Sequence, residues 1–494
     1  MKRLIYIRQL WLAIPLLSFG FGCSSILEQP PVSQIEESQF WTSSSDAEAG
    51  VAAVYDAMQN AYKSKYFFWG ELRSDNFSGT EQASGEALQI VTNNLLPTNE
   101  GVTSWGALYQ MIMRANLAIE NIPTIESYDA GLLGEAHALR AFAYFDAIRV
   151  WGAVPLYTEN IRGLDDNLFR EKSTGDQIMA DVILPDLMMA EELLENPAER
   201  FHFSLASLYC LQAEVYMHLR EYENAKIALD KLVGLNEFSL VRTREAWQAL
   251  FRNEPESAGL SSSQQETGPE LIFSIFNELE EDGNRASGVY GVFFSGVPPY
   301  KISRLLEEKW ISQYPIDSIA WHAKYPDFKP SAKDVDGATI YGDFRYFESR
   351  EESKDIGDAR CAKYNKTNYN AAEDDTDIVI YRYAGMLLLK AEAEVQLGNL
   401  QEAVNLLNQI RQARDLPTVA LADFQSSEQL YDMILDERQF ELLAEGKRWW
   451  DLIRTDKAVE VMNPINGLTS DKLLFPIYFK HLIDNANLTQ TPGY

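Results

Sequence analysis

LQAEVYMHLREYENAKIALDKL, residues Leu211–Leu232, carries the pattern that decides the fold. Ala213, Tyr216, Leu219, Tyr222, Ala225 and Leu229 recur at three- and four-residue spacing, the period of helices with one buried stripe. The same order of positions returns 178 residues later in LKAEAEVQLGNLQEAVNLLNQI, Leu389–Ile410, as Ala391, Glu394, Leu397, Leu400, Ala403 and Leu407. In both stretches small residues stand where two antiparallel helices would touch, and larger ones fill the gaps. A helix with so narrow an apolar stripe is unstable alone, so such pairs must stack and bury one another's faces. Gly398 supplies a tight turn in the second unit. Arg220 stands at that place in the first, and Glu394 replaces an aromatic in the second, so the copies are degenerate.

Helix pairs of this kind are the unit of tetratricopeptide-like repeats, and a mainly α scaffold follows. Apolar spacing predicts further helices over Ala47–Tyr62, Ser104–Ile122, Leu132–Trp151, Gly175–Leu194 and Glu428–Arg454. Between Asn236 and Asp377 the character changes. Ser261-Ser262-Ser263, Gly283, Gly288, Gly291, Gly296 and Pro298-Pro299 accumulate there, with short strand-like runs such as Leu271–Phe276. The expected organisation is a helical scaffold at 40–235 and 378–460, an inserted loop-rich region at 236–377, and an extension at 461–494 packed on the body. Loops mounted on a rigid scaffold are where binding sites concentrate, so the ligand site is expected in the inserted region.

The beginning of the chain bears on location. Lys2, Arg3 and Arg8 form a basic start, Leu10 to Gly22 an apolar run too short to span a bilayer, and Gly22-Cys23 follows. A cysteine after a small residue, followed by Ser24 and Ser25, reads as a lipoprotein signal over 1–22, with Cys23 acylated and 23–39 as tether. The competing reading is an ordinary cleavage site beside an incidental thiol. The formal charge is −30, and −33 once the three basic residues of the signal are gone. So acidic a body is repelled by nucleic acid and by anionic lipid surfaces, which favours neutral or cationic ligands and leaves the lipid as the only membrane contact. Cys210 and Cys361 remain, with no C-x-x-C spacing, and Cys210 reads as a small core residue.

Several blocks, taken in order, resemble the SusD-like (RagB/SusD) family of outer-membrane nutrient-binding lipoproteins. EAHALRAFAYFD (Glu135–Asp146) leads to VWGAVPL (Val150–Leu156). YRYAGMLLLKAEA (Tyr381–Ala393) follows, then DERQFELLAEGKRWWDLIR (Asp436–Arg454) and the ending LTQTPGY (Leu488–Tyr494). The resemblance implies about four tetratricopeptide-like helix pairs against a variable, loop-rich region that carries the ligand site. It implies a lipid-anchored protein on the cell surface that delivers oligosaccharide to a TonB-dependent, SusC-like transporter barrel. Peptide capture by the same fold, or a surface scaffold or adhesin, are the alternatives.

Chemistry within these blocks has a plainer reading. Glu437, Glu441 and Glu445 suggest paired carboxylates for glycoside hydrolysis. Arg438 and Arg448 lie among them beside an apolar stripe of Leu435, Leu442 and Trp449, as expected of an ion-paired helix packed into the body. His137 and Arg140 read as scaffold contacts, and Asp343 with Arg345 as a structural turn. The five histidines show no H-E-x-x-H spacing, and neither a G-x-S-x-G elbow nor a phosphate loop is present. Asp334-Val335-Asp336-Gly337 lacks the remaining ligands of a calcium loop. No catalytic residue, metal or cofactor is expected.

Sugar rings stack their C–H faces on aromatic rings and need amide, carboxylate or guanidinium partners for their hydroxyls. Two stretches fit: Tyr66 to Asn94, and Tyr290 to His322. They nominate Trp69, Tyr290, Tyr300 and Trp321 as stacking rings, with Arg73 and Asn93 as hydroxyl partners. Burial is the competing reading for each aromatic. Trp41, Trp105 and Trp151 are left as scaffold positions.

Overall fold

The computed structural model describes residues 40–161, 167–252, 266–278, 287–294, 296–326, 342–351, 354–364 and 374–494. The signal, Cys23 and the tether lie outside these residues, as do Ser261-Ser262-Ser263, Gly283 and the Asp334–Gly337 loop. Among the described residues eight helices build the scaffold. They are α1 (Ser44–Tyr62), α2 (Gly106–Asn121), α3 (Ala130–Trp151), α4 (Leu184–Leu193), α5 (Leu205–His218), α6 (Tyr222–Gly234), α7 (Tyr383–Gln396) and α8 (Leu400–Ala413). Each packs on the next, α1 on α2 through α7 on α8, giving four successive pairs and a mainly α, tetratricopeptide-like body. The two stretches that share one sequence pattern are α5–α6 and α7–α8. Because α6 lies against α7, the stack is continuous across the long sequence interval between them.

The degenerate positions have physical reasons. Gly398 and Arg220 hold the same left-handed turn conformation, with φ of 81° and 61°. Glu394 is buried, and its carboxylate accepts the Asn399 amide at 2.7 Å while its carbonyl accepts the Asn399 main-chain N–H at 2.8 Å. A carboxylate there ties the end of α7 to the residue that starts α8, which an aromatic ring would not do.

Two expected helices are interrupted. Gly175–Leu194 contains one π-helical turn, Met179–Ile183, immediately before Pro185, which has no N–H to donate and whose ring crowds the preceding turn. Glu428–Arg454 is two helices, α9 (Ser427–Glu441) and α10 (Arg448–Arg454), with Ala444 and Gly446 at positive φ between them. The main-chain groups freed by the break are taken by distant partners. Glu71 accepts the N–H of Ala444 at 2.9 Å and of Gly446 at 3.0 Å, Lys363 donates to the carbonyls of Leu443 and Glu441, and Tyr364 donates to that of Ala444. Burial pushes the Glu71 carboxyl up to about 7 despite these donors.

Among the described residues six short strands form three antiparallel ribbons: β1 (Phe77–Gly79) with β5 (Tyr300–Ile302), β2 (Val154–Pro155) with β3 (Lys172–Ser173), and β4 (Leu271–Ile275) with β6 (Ile378–Arg382). β6 runs directly into α7, so the last ribbon fastens the inserted region to the fourth helix pair. β1–β5 fastens it to the N-terminal half. No helix among the described residues is long and apolar enough to cross a membrane.

Beneath α9 lies a buried cluster of ions. Arg345 reaches Asp343 (2.7 Å), Glu437 (2.7 Å) and Glu441 (2.6 Å). Arg382 reaches Glu270 and Glu441, both at 2.6 Å, and Glu445 at 2.8 Å. Arg414 reaches Glu270 at 2.8 Å and Glu441 at 2.7 Å, and Lys363 reaches Glu445 at 2.6 Å. The partners of the three glutamates thus come from other segments, while Arg438 turns to Asp451 and Arg448 to Asp75. Burial alone would raise the pKa of Glu441, but the guanidiniums of Arg414, Arg382 and Arg345 together hold it well below the usual 4.5.

A group with a depressed pKa contributes stability above its unfolded value and loses it as pH falls through the folded one. Urea unfolding midpoints should therefore hold near neutrality and drop as pH falls below the ordinary carboxylate range. Glu441→Gln should lower stability at pH 7 by about 3–5 kcal/mol and flatten that acid limb. At the repeat turns, Gly398→Ala should cost about 1–2 kcal/mol, since an L side chain disfavours left-handed backbone, and Arg220→Gly should raise the midpoint.

Candidate functional site

Where β1–β5 joins the N-terminal helices to the inserted region, the surface folds into a cavity of about 560 Å³. One wall comes from Lys63 and Ser64 after α1, Phe68 on the helix Lys65–Gly70, and Glu86 on the helix Gly85–Val91. The other comes from Ser287–Val292, Tyr300 and Asp374. The two walls approach closely at Gly288, where a Cβ would stand 2.2 Å from the Ser64 hydroxyl, so a larger residue would push the inserted segment off the turn after α1.

Local structure explains how each ring is presented. Phe68 is half-buried and meets Tyr300 edge-on, with ring centroids 6.5 Å apart. Tyr300 sits in β5 opposite Gly79, its ring buried. Tyr290 lies on the five-residue helix Val289–Phe293, half-buried, with its main-chain N–H donated to Asp374 Oδ2 at 2.8 Å. Burial pushes both phenols up in pKa, so they are neutral hydrogen-bonding groups at physiological pH. Asn99 fixes the helix that carries Glu86, donating to the Glu86 carbonyl and to Gln89, both at 3.1 Å. Glu86 and Lys63 remain exposed, one of each sign. Two half-buried rings, Phe68 and Tyr290, beside exposed polar groups of both signs suit an amphiphilic ligand with apolar faces and hydroxyl edges, while the buried Tyr300 supports Phe68 edge-on.

Of the six residues nominated from sequence, Tyr290 and Tyr300 line this cavity, Tyr290 half-buried and Tyr300 only 3% exposed, and the other four are interior. Trp69 is 2% exposed; its indole N–H donates to the Val102 carbonyl at 2.9 Å, and its ring packs edge-on against Tyr62 and Trp151. Arg73 is fully buried between the rings of Trp449 and Phe475, donating to Asn93 at 2.6 Å and to the Leu473 carbonyl at 2.9 Å. Asn93 returns an amide bond to the Arg73 carbonyl at 2.9 Å from a left-handed turn, so the pair fastens the C-terminal extension. Trp321 is 1% exposed and packed on Tyr325 and Phe347. Each is a core residue where irregular chain meets helix.

Sequence reasoning missed Lys63, Phe68, Glu86 and Asp374. In the run Tyr66–Trp69 three of the four aromatics are buried and Phe68 is not, a distinction that a six-residue helix does not write into its sequence. The carboxylates that suggested hydrolysis are in the ion cluster, away from this lining. His137 and Arg140 both converge on Asp186, at 2.6 and 2.7 Å, and hold α4 to α3. Among the described residues no group of three or more His, Cys, Asp or Glu is arranged to hold a metal ion.

A family model described as the SusD family matches residues 328–494, and one described as "Starch-binding associating with outer membrane" matches residues 28–217. A SusD-like protein of Formosa agariphila is 46% identical, with 97% of each chain covered. The chain belongs to the SusD-like family. Solved SusD-like structures share the fold at lower identity. One from Bacteroides fragilis has a TM-score of 0.72 at 19% identity, covering 94% of this chain and all of that one. A structure described as a laminarin-binding SusD-like protein has a TM-score of 0.68 at 20% identity, covering 92% of this chain and all of that one. B. fragilis NanU reaches 0.71 at 22%, with 94% and 100% covered.

The placements separate core from cavity in a way that stability measurements read directly. Arg73→Ala strands the Asn93 carbonyl and a main-chain carbonyl in the interior and should cost about 3 kcal/mol. Tyr290→Ala, at a half-open wall, should change thermal stability little, by less than about 1 kcal/mol. Differential scanning calorimetry of the two variants checks this.

Proposed function

We propose that this SusD-like protein captures glycan at the cell surface in the cavity between Phe68, Tyr290 and Tyr300 and delivers it to a SusC-like, TonB-dependent transporter, without catalysis. The observation that carries the reading is the cavity's combination of two half-buried rings, Phe68 and Tyr290, with exposed Lys63 and Glu86. Its size falls within the roughly 300–1,000 Å³ of pockets that enclose small organic ligands, enough for a short stretch of a glycan chain. Family membership supports the partner and the location, and acylation of Cys23 would hold the protein at the outer membrane. Of the two carboxylates in the lining, Asp374 accepts main-chain N–H groups, which suits binding and gives no pair of free acids for hydrolysis.

Isothermal titration of the soluble chain from residue 24 against plant, algal, host and microbial oligosaccharides tests the reading. Saturable binding without product formation is expected, weakened about tenfold or more in Tyr290→Ala and in Phe68→Ala, the equivalent of about 1.4 kcal/mol per lost ring. Silence across the glycans with saturable binding of peptides would replace glycan by peptide cargo. Glycan binding that both variants leave untouched would move the site elsewhere.

A further inference from the structure

We propose that Asp374 is a positioning residue for this cavity, setting the place of the Tyr290 ring and thereby the affinity for glycan; this rests on the cavity reading above. The residue is 2% exposed and accepts three main-chain N–H groups from two segments. Its carboxylate takes Tyr290 at 2.8 Å and Thr376 at 3.3 Å, and its carbonyl takes Ser287 at 2.8 Å. The segment that carries Tyr290 is therefore pinned at both ends of a four-residue span by one residue that lies far away in sequence.

The helix Val289–Phe293 needs such a pin. Its N-cap position is Gly288, which has no side chain, and the Ser287 hydroxyl accepts only the Val289 N–H, at 3.3 Å. The N–H of Tyr290, at the second helical position, is the group an N-cap side chain would ordinarily accept, and Asp374 accepts it from outside. Five residues make too short a helix to hold itself, so its orientation is set by what it is tied to.

Asp374 is in turn tied to the scaffold. The Thr376 carbonyl accepts the Asn277 amide at 3.0 Å, and Asp377 accepts the Asn277 main-chain N–H at 3.0 Å and pairs with Arg200 at 2.8 Å. The next residues are β6, which ends in Arg382 of the ion cluster. A rigid path of a few residues thus runs from the core to one wall of the cavity, while Phe68 on the other wall is carried by the N-terminal helices. The far end of the helix is held by Phe293, which packs on Phe67 and Phe77 with ring centroids 5.0 and 5.3 Å away, and the end that carries Tyr290 is held by Asp374.

Two measurements test this on the full soluble chain. Without any glycan, hydrogen exchange at residues 287–291 should quicken about tenfold or more in Asp374→Ala while α3 and α7 keep their protection, with partial restoration in Asp374→Asn, which keeps an acceptor oxygen. With the oligosaccharide of the panel that the wild type binds most tightly, Asp374→Ala should weaken binding about tenfold. In a Tyr290→Ala background the same change should have almost no further effect, as expected of a residue that acts through Tyr290. Unchanged exchange at 287–291, or fully additive losses in the double variant, would overturn the role of Asp374 alone. Failure of the wild type to bind any glycan is the failure of the cavity reading and takes the inference about affinity with it. Should Asp374→Ala not fold, Asp374→Asn decides both measurements.

Discussion

Glu441 cannot be buried alone. A carboxylate taken fully out of water costs several kcal/mol unless cations and hydrogen-bond donors replace its hydration. Here three guanidiniums from three places do so: Arg414 at the end of α8, Arg382 at the end of β6, and Arg345 in the inserted region. Those cations are themselves buried and need Glu270, Glu445, Glu437 and Asp343. No member of the cluster is satisfied until every segment has arrived. The apolar stripes stack the helices, and the ion cluster decides which irregular chain is allowed to lie against them.

That division explains what the sequence made legible. Helix pairing follows from local spacing, so α1–α3 and α5–α8 stand where periodicity puts them, to within a few residues. The break between α9 and α10 does not follow from local spacing. Leu435, Leu442 and Trp449 continue a helical stripe, and only Gly446 hints at an interruption. What opens the helix is the set of partners waiting for its main chain: Glu71 from the N-terminal half, and Lys363 with Tyr364 from the inserted region. An interruption stabilised by contacts 78 to 375 residues away leaves no local signature. The same holds for the ion pairs, where cations interleaved on the helix itself suggested i,i+4 pairing and the actual partners lie on other elements.

The site was half legible for a related reason. The two aromatic-rich segments supply Phe68, Glu86, Tyr290 and Tyr300 to the cavity, while Lys63, Ser64, Ser287, Gly288 and Asp374 come from outside them. Composition did not say which rings face out. Trp69, Trp310 and Trp321 are the largest side chains in those segments and therefore the best fillers where loops meet helices, while the smaller Phe68 and Tyr290 are left at the opening. Arg73 and Asn93 look like hydroxyl partners in sequence, yet their donors and acceptors are consumed by one another and by the main chain of the C-terminal extension. A polar group in an interior that is already fully hydrogen-bonded has nothing to offer a ligand.

The cavity sits on the seam between the part of the chain that the core determines and the part that it only anchors. Its scaffold wall is carried by short helices that follow α1, while its other wall hangs on segment 374–377 and reaches the ion cluster through β6. Changes in residues 287–292 can alter the rings and polar groups offered to a ligand without disturbing any buried charge. A change in Arg382 or Glu441 disturbs everything. A fold arranged in this way can hold its helical body constant while the inserted wall is remodelled. The low identity at which solved SusD-like structures still share this fold is what such an arrangement permits: the stack needs only spacing and a few buried ions, and the wall needs only a fixed point from which to hang.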